Sequence, residues 1–274
     1  MPEVPTPGGV APGSRLVAQY WDSEEVPGYI ADLFATFREC NPDFEHRIFS
    51  EAQAECFIAE RFGSREAAAF RTCAVPSMQS DYFRYCVVLA LGGVYADADY
   101  ECVRSLRPLL EAPDRGEIFL GPTMYTVAGR EAKRVWSGFF AFKEPGHPFL
   151  RLALDIATAN LEARIPERIW PVGEMVVESV WLTVGPGVPS LMRFIYEWGS
   201  FDAFIAGVEG TPAEPFAELY CDTIGDYDRI HAAFDGVRVS SFECMGEWVA
   251  HPAHPLPYKE TQAHWHNVKG RIFR

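Results

Sequence analysis

Long apolar runs, paired cysteines and an excess of positive charge are all missing from this sequence. No stretch reaches the roughly 18 uncharged apolar residues needed to cross a bilayer, so no transmembrane segment is expected. The opening MPEVPTPGGVAPGS has neither the basic nor the apolar region of a signal peptide. The seven cysteines stand singly, without a CxxC pair, several of them in apolar runs where a thiol is a small hydrophobe. That usage is expected of a reducing, cytoplasmic setting. The 24 Lys and Arg are outnumbered by 38 Asp and Glu, a net charge of -14. Nucleic acid and anionic membrane surfaces are polyanions and are therefore not expected partners. A phosphate-bearing ligand stays open, because a cation held between carboxylates supplies the missing positive charge.

What is present is enough apolar content, 48% of 274 residues, for a full core. Residues 1–14, rich in Pro and Gly, are expected to be disordered, and residues 15–274 to form a single domain. Leu16 to Trp21 reads as a buried strand, Tyr29 to Cys40 as an amphipathic helix stopped by Asn41-Pro42, and Arg47 to Phe49 as a second strand. Ser50 then caps a helix through Arg61, and further helices are expected at Ser64–Cys73 and Met78–Leu91. Gly92-Gly93 ends the last of these, and Val94-Tyr95-Ala96 is a short strand. The alternation predicts an α/β fold. Beyond it the pattern predicts a strand within Tyr100–Val103, another at Gly138–Phe142, helices at Pro148–Leu161, Val176–Thr183 and Ser190–Trp198, and a turn at Gly185-Pro186-Gly187.

The chemistry concentrates in SDYFRYCVVLALGGVYADADY, residues 80–100. Asp81 and Arg84 are three apart on a helix that is otherwise apolar on most sides, so they either satisfy each other or line a polar cavity. A tight turn at the glycines returns the strand beside that helix. Asp97 and Asp99 then emerge at the carboxyl end of the strand, where open α/β sheets bind ligands. Residues two apart in an extended segment point the same way, and hard divalent cations take carboxylate and phosphate oxygens.

This ordered set, Ser80-Asp81-x-x-Arg84, then Gly92-Gly93, Tyr95 and Asp97-x-Asp99, resembles the sugar-binding region of the family 32 glycosyltransferases and of the clostridial glucosylating toxins. AQYWDSEEVP is similar to the family's first strand, with Ala18 where a histidine is usual. The resemblance covers residues 15 to 105 well; the Gly185-Pro186-Gly187 turn and His147-Pro148-Phe149 suit its later signatures. It implies a GT-A type fold, a Rossmann-like mixed sheet flanked by helices. It also implies a retaining transfer from a UDP- or GDP-sugar to an acceptor hydroxyl on a glycan, a lipid-linked sugar or a small molecule, with Mn2+ or Mg2+. By position, Asp99 would bind the metal and Asp97 the ribose and donor sugar, with a water to the metal. Asp81 and Arg84 would hold the donor sugar hydroxyls, Trp21 would stack on the base, and Tyr95 would support the pocket.

The tail His264-Trp265-His266-Asn267 is the first candidate for further metal ligands, His264 or His266, with Trp265 closing over the diphosphate; Glu260 is another. Trp136 and Ser137 fall where the family approaches its acceptor, or are core strand and turn. Trp170, Trp181 and Trp198 are read as packing. Two other functions fit Asp-x-Asp: a phosphohydrolase with Asp97 as nucleophile and Asp99 as acid, which expects Thr or Val where Glu101 stands, and a non-catalytic sugar-binding protein on the same fold.

Overall fold

The computed structural model describes residues 15–112, 114–127, 129–165, 177–211, 213–261 and 272–274. Strand β1, Leu16–Tyr20, is buried along its whole length, which is the signature of an inner strand covered on both faces. Helix α1, Gly28–Cys40, lays Ile30, Leu33, Phe34 and Phe37 on the sheet, and the Asn41 side chain ends it by donating to the Phe37 carbonyl at 2.9 Å. Strand β2, Glu45–Phe49, runs parallel to β1. The Ser50 cap predicted for helix α2, Glu51–Phe62, is a full capping box, closed by Gln53. Helix α3, Ser64–Thr72, leads to helix α4, Pro76–Leu91, whose first position is proline and whose circumference is buried almost throughout.

Both glycines after α4 have positive φ, 67° at Gly92 and 91° at Gly93. A Cβ on Gly93 would lie 2.6 Å from the Leu16 carbonyl oxygen, so only glycine lets strand β3, Gly93–Ala96, close on β1. The pairing of β1 with β3 is parallel. Strand β4 is only Glu101–Cys102, shorter than predicted, and precedes helix α5, Arg107–Glu111.

Strand β5, Gly116–Val127, was not expected from the sequence, and strand β6, Arg130–Phe142, extends eight residues further toward the N-terminus than the predicted Gly138 start. The two form an antiparallel hairpin. Pro122 falls inside β5, where a register shift between Leu120 and Thr123 accommodates a residue that cannot donate to the ladder. Helix α6, Pro148–Ala163, is started by His147, whose Nδ1 accepts from the Phe149 N–H at 3.1 Å. Helices then span Val177–Thr183, Gly187–Trp198, Phe201–Val208, Glu214–Ile224 and Tyr227–Phe234. Strand β7, Val237–Ser241, lies parallel to β5, and β8, Val249–Ala250, pairs with β4.

The main sheet has the order β2-β1-β3-β6-β5-β7, parallel through β2, β1 and β3 and antiparallel from β3 to β6 to β5. It is the Rossmann-like mixed sheet with flanking helices that the sequence predicted. The switch of direction matters for function. Ala96 pairs with Phe139, so the β6 residues before 139 run past the carboxyl end of β3, where Asp97 leaves the sheet.

Candidate active site

Arg84 is the centre of the site. Its Nη2 lies 2.7 Å from Asp81 Oδ1 and 2.8 Å from Asp97 Oδ1, its Nη1 donates to Ser137 Oγ at 2.7 Å, and its Cζ sits 5.0 Å from the Tyr95 ring centre. The Tyr95 hydroxyl donates to the same Asp97 oxygen at 3.1 Å and lies 2.6 Å from Ser80 Oγ. The two readings of Asp81 and Arg84 are thus both realised: they pair, and they line a cavity together with Asp97. Burial pushes the Asp81 carboxyl up to about 7, against the pull of Arg84 and with a further push from Asp97. Burial also raises Asp97, opposed by Arg84. Burial works against the Arg84 charge as well, but Asp81 and Asp97 outweigh it and hold the guanidinium above its ordinary range. The cluster is one cation between two acids, and with both acids ionised its surplus charge is negative.

The main chain fixes Asp97 as firmly as its side chain does. Its N–H donates to the Gly138 carbonyl at 2.8 Å, and its own carbonyl accepts from Gln19 Nε2 at 3.3 Å, on β1. A Cβ on Gly138 would stand 2.4 Å from Asp97 Oδ2. Gly185, first residue of the predicted turn, is equally close on the other side: a Cβ there would be 3.0 Å from Asp81 Oδ2, and its carbonyl accepts from Tyr85 at 3.1 Å.

Asp99 is turned toward the C-terminal segment, with Lys259 Nζ 2.6 Å and His251 Nδ1 3.6 Å from its Oδ2. No local signal marks Lys259, because that contact depends on β8 pairing with β4 and so carrying residues 251–260 over the carboxylate. The next residue, Glu260, is exposed. His264, Trp265 and His266 lie outside the described residues, and among the described residues no group of three or more His, Cys, Asp or Glu is placed to hold a metal ion.

Ser80, Asp81, Arg84, Asp97 and Asp99 share a cleft of about 410 Å³, also lined by Trp21, Arg134, Trp136, Trp181 and Tyr258. Trp21 meets Tyr258 edge-on at 5.5 Å. Trp136 and Ser137, left between an acceptor role and a core strand, are on β6 and in the cleft. Trp181 corrects the sequence reading, which assigned it to packing: it lines the cleft, because the Gly185-Pro186-Gly187 turn folds the end of its helix against α4. Trp198 does pack, against Gly207 and Phe194; Trp170 is outside the described residues.

Oxygen donors are what remains for a cation. Asp97 keeps Oδ2 off the Arg84 contacts, and Asp99 already draws an ammonium group to 2.6 Å, so the position selects positive charge. Two carboxylates with substrate phosphate oxygens suit Mg2+ or Mn2+.

Comparison with known proteins agrees with this geometry. Residues 27–115 match the model of the glycosyltransferase sugar-binding region containing the DXD motif. The initiation-specific alpha-1,6-mannosyltransferase of Schizosaccharomyces pombe is 24% identical over 182 residues, 59% of this chain and 44% of the relative. Inositol phosphoceramide mannosyltransferase 3 of the same organism is 25% identical over 99 residues, 36% of this chain and 28% of the relative. The chain spans less than half the length of these relatives. Among solved structures, the PaToxG glycosyltransferase superposes over 81% of this chain and 86% of its own with a TM-score of 0.46 and 16% identity. Residues 27–115, which carry Arg84, Asp97 and Asp99, are therefore similar to the glycosyltransferase sugar-binding region containing the DXD motif.

Proposed function

We propose that the protein transfers a hexosyl group from a UDP- or GDP-sugar to an acceptor hydroxyl, with retention at C1 and dependence on Mn2+ or Mg2+. The observation that carries this reading is the Arg84 cluster set beside Asp99 at the carboxyl end of β3, in a cleft the size of a small-ligand site. Asp99 and Asp97 Oδ2 would hold the cation, which when bound supplies positive charge to the departing diphosphate. Asp81 and Arg84 offer an acceptor and a donor to the donor sugar hydroxyls from rigid positions, which orients C1 before reaction. Trp21 offers a face to the nucleotide base. The mannosyl group in the names of both relatives makes a mannosyl donor the first to test. A phosphohydrolase reading needs Asp97 as a free nucleophile, whereas its Oδ1 is already engaged by Arg84 and Tyr95.

The test is a screen of sugar nucleotides for a shift in unfolding temperature, with Mn2+ and with EDTA. A donor at about 100 times its Kd adds about 2.7 kcal/mol, or roughly 5 °C for a chain of this size. The expected result is that shift with one nucleotide in Mn2+, slow hydrolysis of the same donor, and little of either in EDTA. No shift with any sugar nucleotide would end the reading.

Gly138 supplies a finer test of the geometry. Alanine there must displace the Asp97 carboxylate, so Gly138→Ala is expected to lower donor hydrolysis about 10²-fold, comparable to losing one transition-state contact, while costing only about 1–3 kcal/mol in urea unfolding. Hydrolysis at the parent rate would show that Asp97 need not sit where the structure holds it.

A further inference from the structure

Arg134 lines the cleft in an arrangement that the donor chemistry leaves unused. It projects from β6 between two indoles, its Cζ 4.5 Å from the Trp136 ring centre and 4.5 Å from that of Trp181. No carboxylate among the described residues pairs with it, and its Nε is buried without a hydrogen-bond partner. Burial pulls its pKa down, and the Tyr100 hydroxyl opposes this only in part. Partly buried arginines in folded proteins are normally matched by an acid, so an unmatched one at a cleft wall is a standing cost. The two ring contacts explain how it is held. Its planar fork of donors has the geometry that receives a carboxylate or phosphate.

The diphosphate of the donor is not the natural occupant. The Trp136 indole nitrogen would be 3.2 Å from a Cβ on Gly138, and Asp97 Oδ2 2.4 Å from the same point. The Trp136 indole nitrogen and Asp97 therefore both flank Gly138, and the ring of the same tryptophan meets Arg134. Arg134 also sits four residues from Gly138 along an extended strand, a backbone separation of about 13 Å. The guanidinium and the Trp181 ring that covers it both line the cleft.

We propose that Arg134, clamped by Trp136 and Trp181, recognises an anionic group on the acceptor, a phosphate or a carboxylate, and that the two indoles form the walls of that subsite. This rests on the transferase reading above. It makes Arg134 a specificity residue and assigns the acceptor to the class of acidic or phosphorylated glycosides.

Three sugars that differ only at C6 test it: glucose, glucose 6-phosphate and glucuronate, titrated against the protein in EDTA so that no metal can hold the phosphate, with the unfolding midpoint as readout. One or both anionic sugars should bind about ten- to a hundredfold tighter than glucose, the range of a charge-assisted bidentate contact. Whichever binds tighter identifies phosphate or carboxylate. The preference should vanish in Arg134→Gln and persist in part in Arg134→Lys, which keeps the charge without the planar fork; if the glutamine variant does not fold, the lysine variant carries the comparison. Equal affinity for all three sugars overturns the proposal, as does a preference that survives Arg134→Gln. So does a selective loss of nucleoside diphosphate binding with Mn2+ in the variants, which would move Arg134 to the donor. Donor hydrolysis by the parent protein separates the failures: hydrolysis without anion preference sinks this inference alone, and no hydrolysis of any sugar nucleotide sinks the transferase reading beneath it.

Discussion

Replacing Arg84 by methionine is expected to lower the free energy of unfolding by about 3–5 kcal/mol, the cost of removing one partner from a buried charge cluster. The Asp81 and Arg84 side chains are 10% and 5% exposed, and Asp97 shares the same guanidinium nitrogen, so the variant leaves two carboxylates facing each other with their common cation gone. The loss should depend on pH. Burial has already pushed Asp81 up to about 7, and without Arg84 it rises further. A carboxyl whose folded pKa is raised keeps its full contribution below its unfolded pKa and loses it as pH rises through the folded value. The methionine variant should therefore be closest to the parent near pH 5 and furthest from it at pH 8. Urea unfolding at the two pH values measures this directly. A loss under 1 kcal/mol, equal at both, would mean that the cluster is solvated and not the rigid donor platform described above.

Asp99→Asn is expected to do the opposite, sparing the fold and removing activity. The substitution keeps the shape of the side chain and takes away its charge at the end of a short strand, where Lys259 and His251 are both partly exposed. Stability should change by no more than about 1 kcal/mol, as for partly exposed ion pairs. Donor hydrolysis should fall about 10²- to 10³-fold, since a group that helps stabilise charge developing in the transition state commonly carries that much. The stabilisation by sugar nucleotide in Mn2+ should shrink toward the EDTA value in the same variant. A well-folded Asp99→Asn protein with undiminished turnover would place the cation, or the need for one, elsewhere.

Much of the donor half could be read from the sequence because local rules decide it. The Ser50 cap and the paired glycines after α4 are each short-range signals, and each appears in the structure as read, whereas Asp97 and Asp99, expected to point the same way from an extended segment, lie in a turn closed by the Tyr100 N–H on the Asp97 carbonyl at 3.3 Å. What could not be read depends on contacts distant in sequence. Pro122 hides β5 because a turn residue sits inside a strand that a bulge makes tolerable. Lys259 reaches Asp99 from 160 positions away through the β4–β8 pairing. Trp181 has the composition of a packing residue and lines the cleft only because a turn brings its helix beside Asp81. Helices 201–234 carry apolar faces for each other, a pattern that marks a core without saying what it supports.

Strand β6 delivers successive residues to different tasks: Ser137 answers Arg84, while Gly138 makes room for Asp97. A shift of one residue in its pairing would exchange the two, setting a side chain against the carboxylate and withdrawing the hydroxyl from the guanidinium. Homologues can accordingly vary the identity of residues along this segment more freely than its length. Insertions and deletions should collect at the hairpin tip near Gly129, where the strand is still far from Asp97.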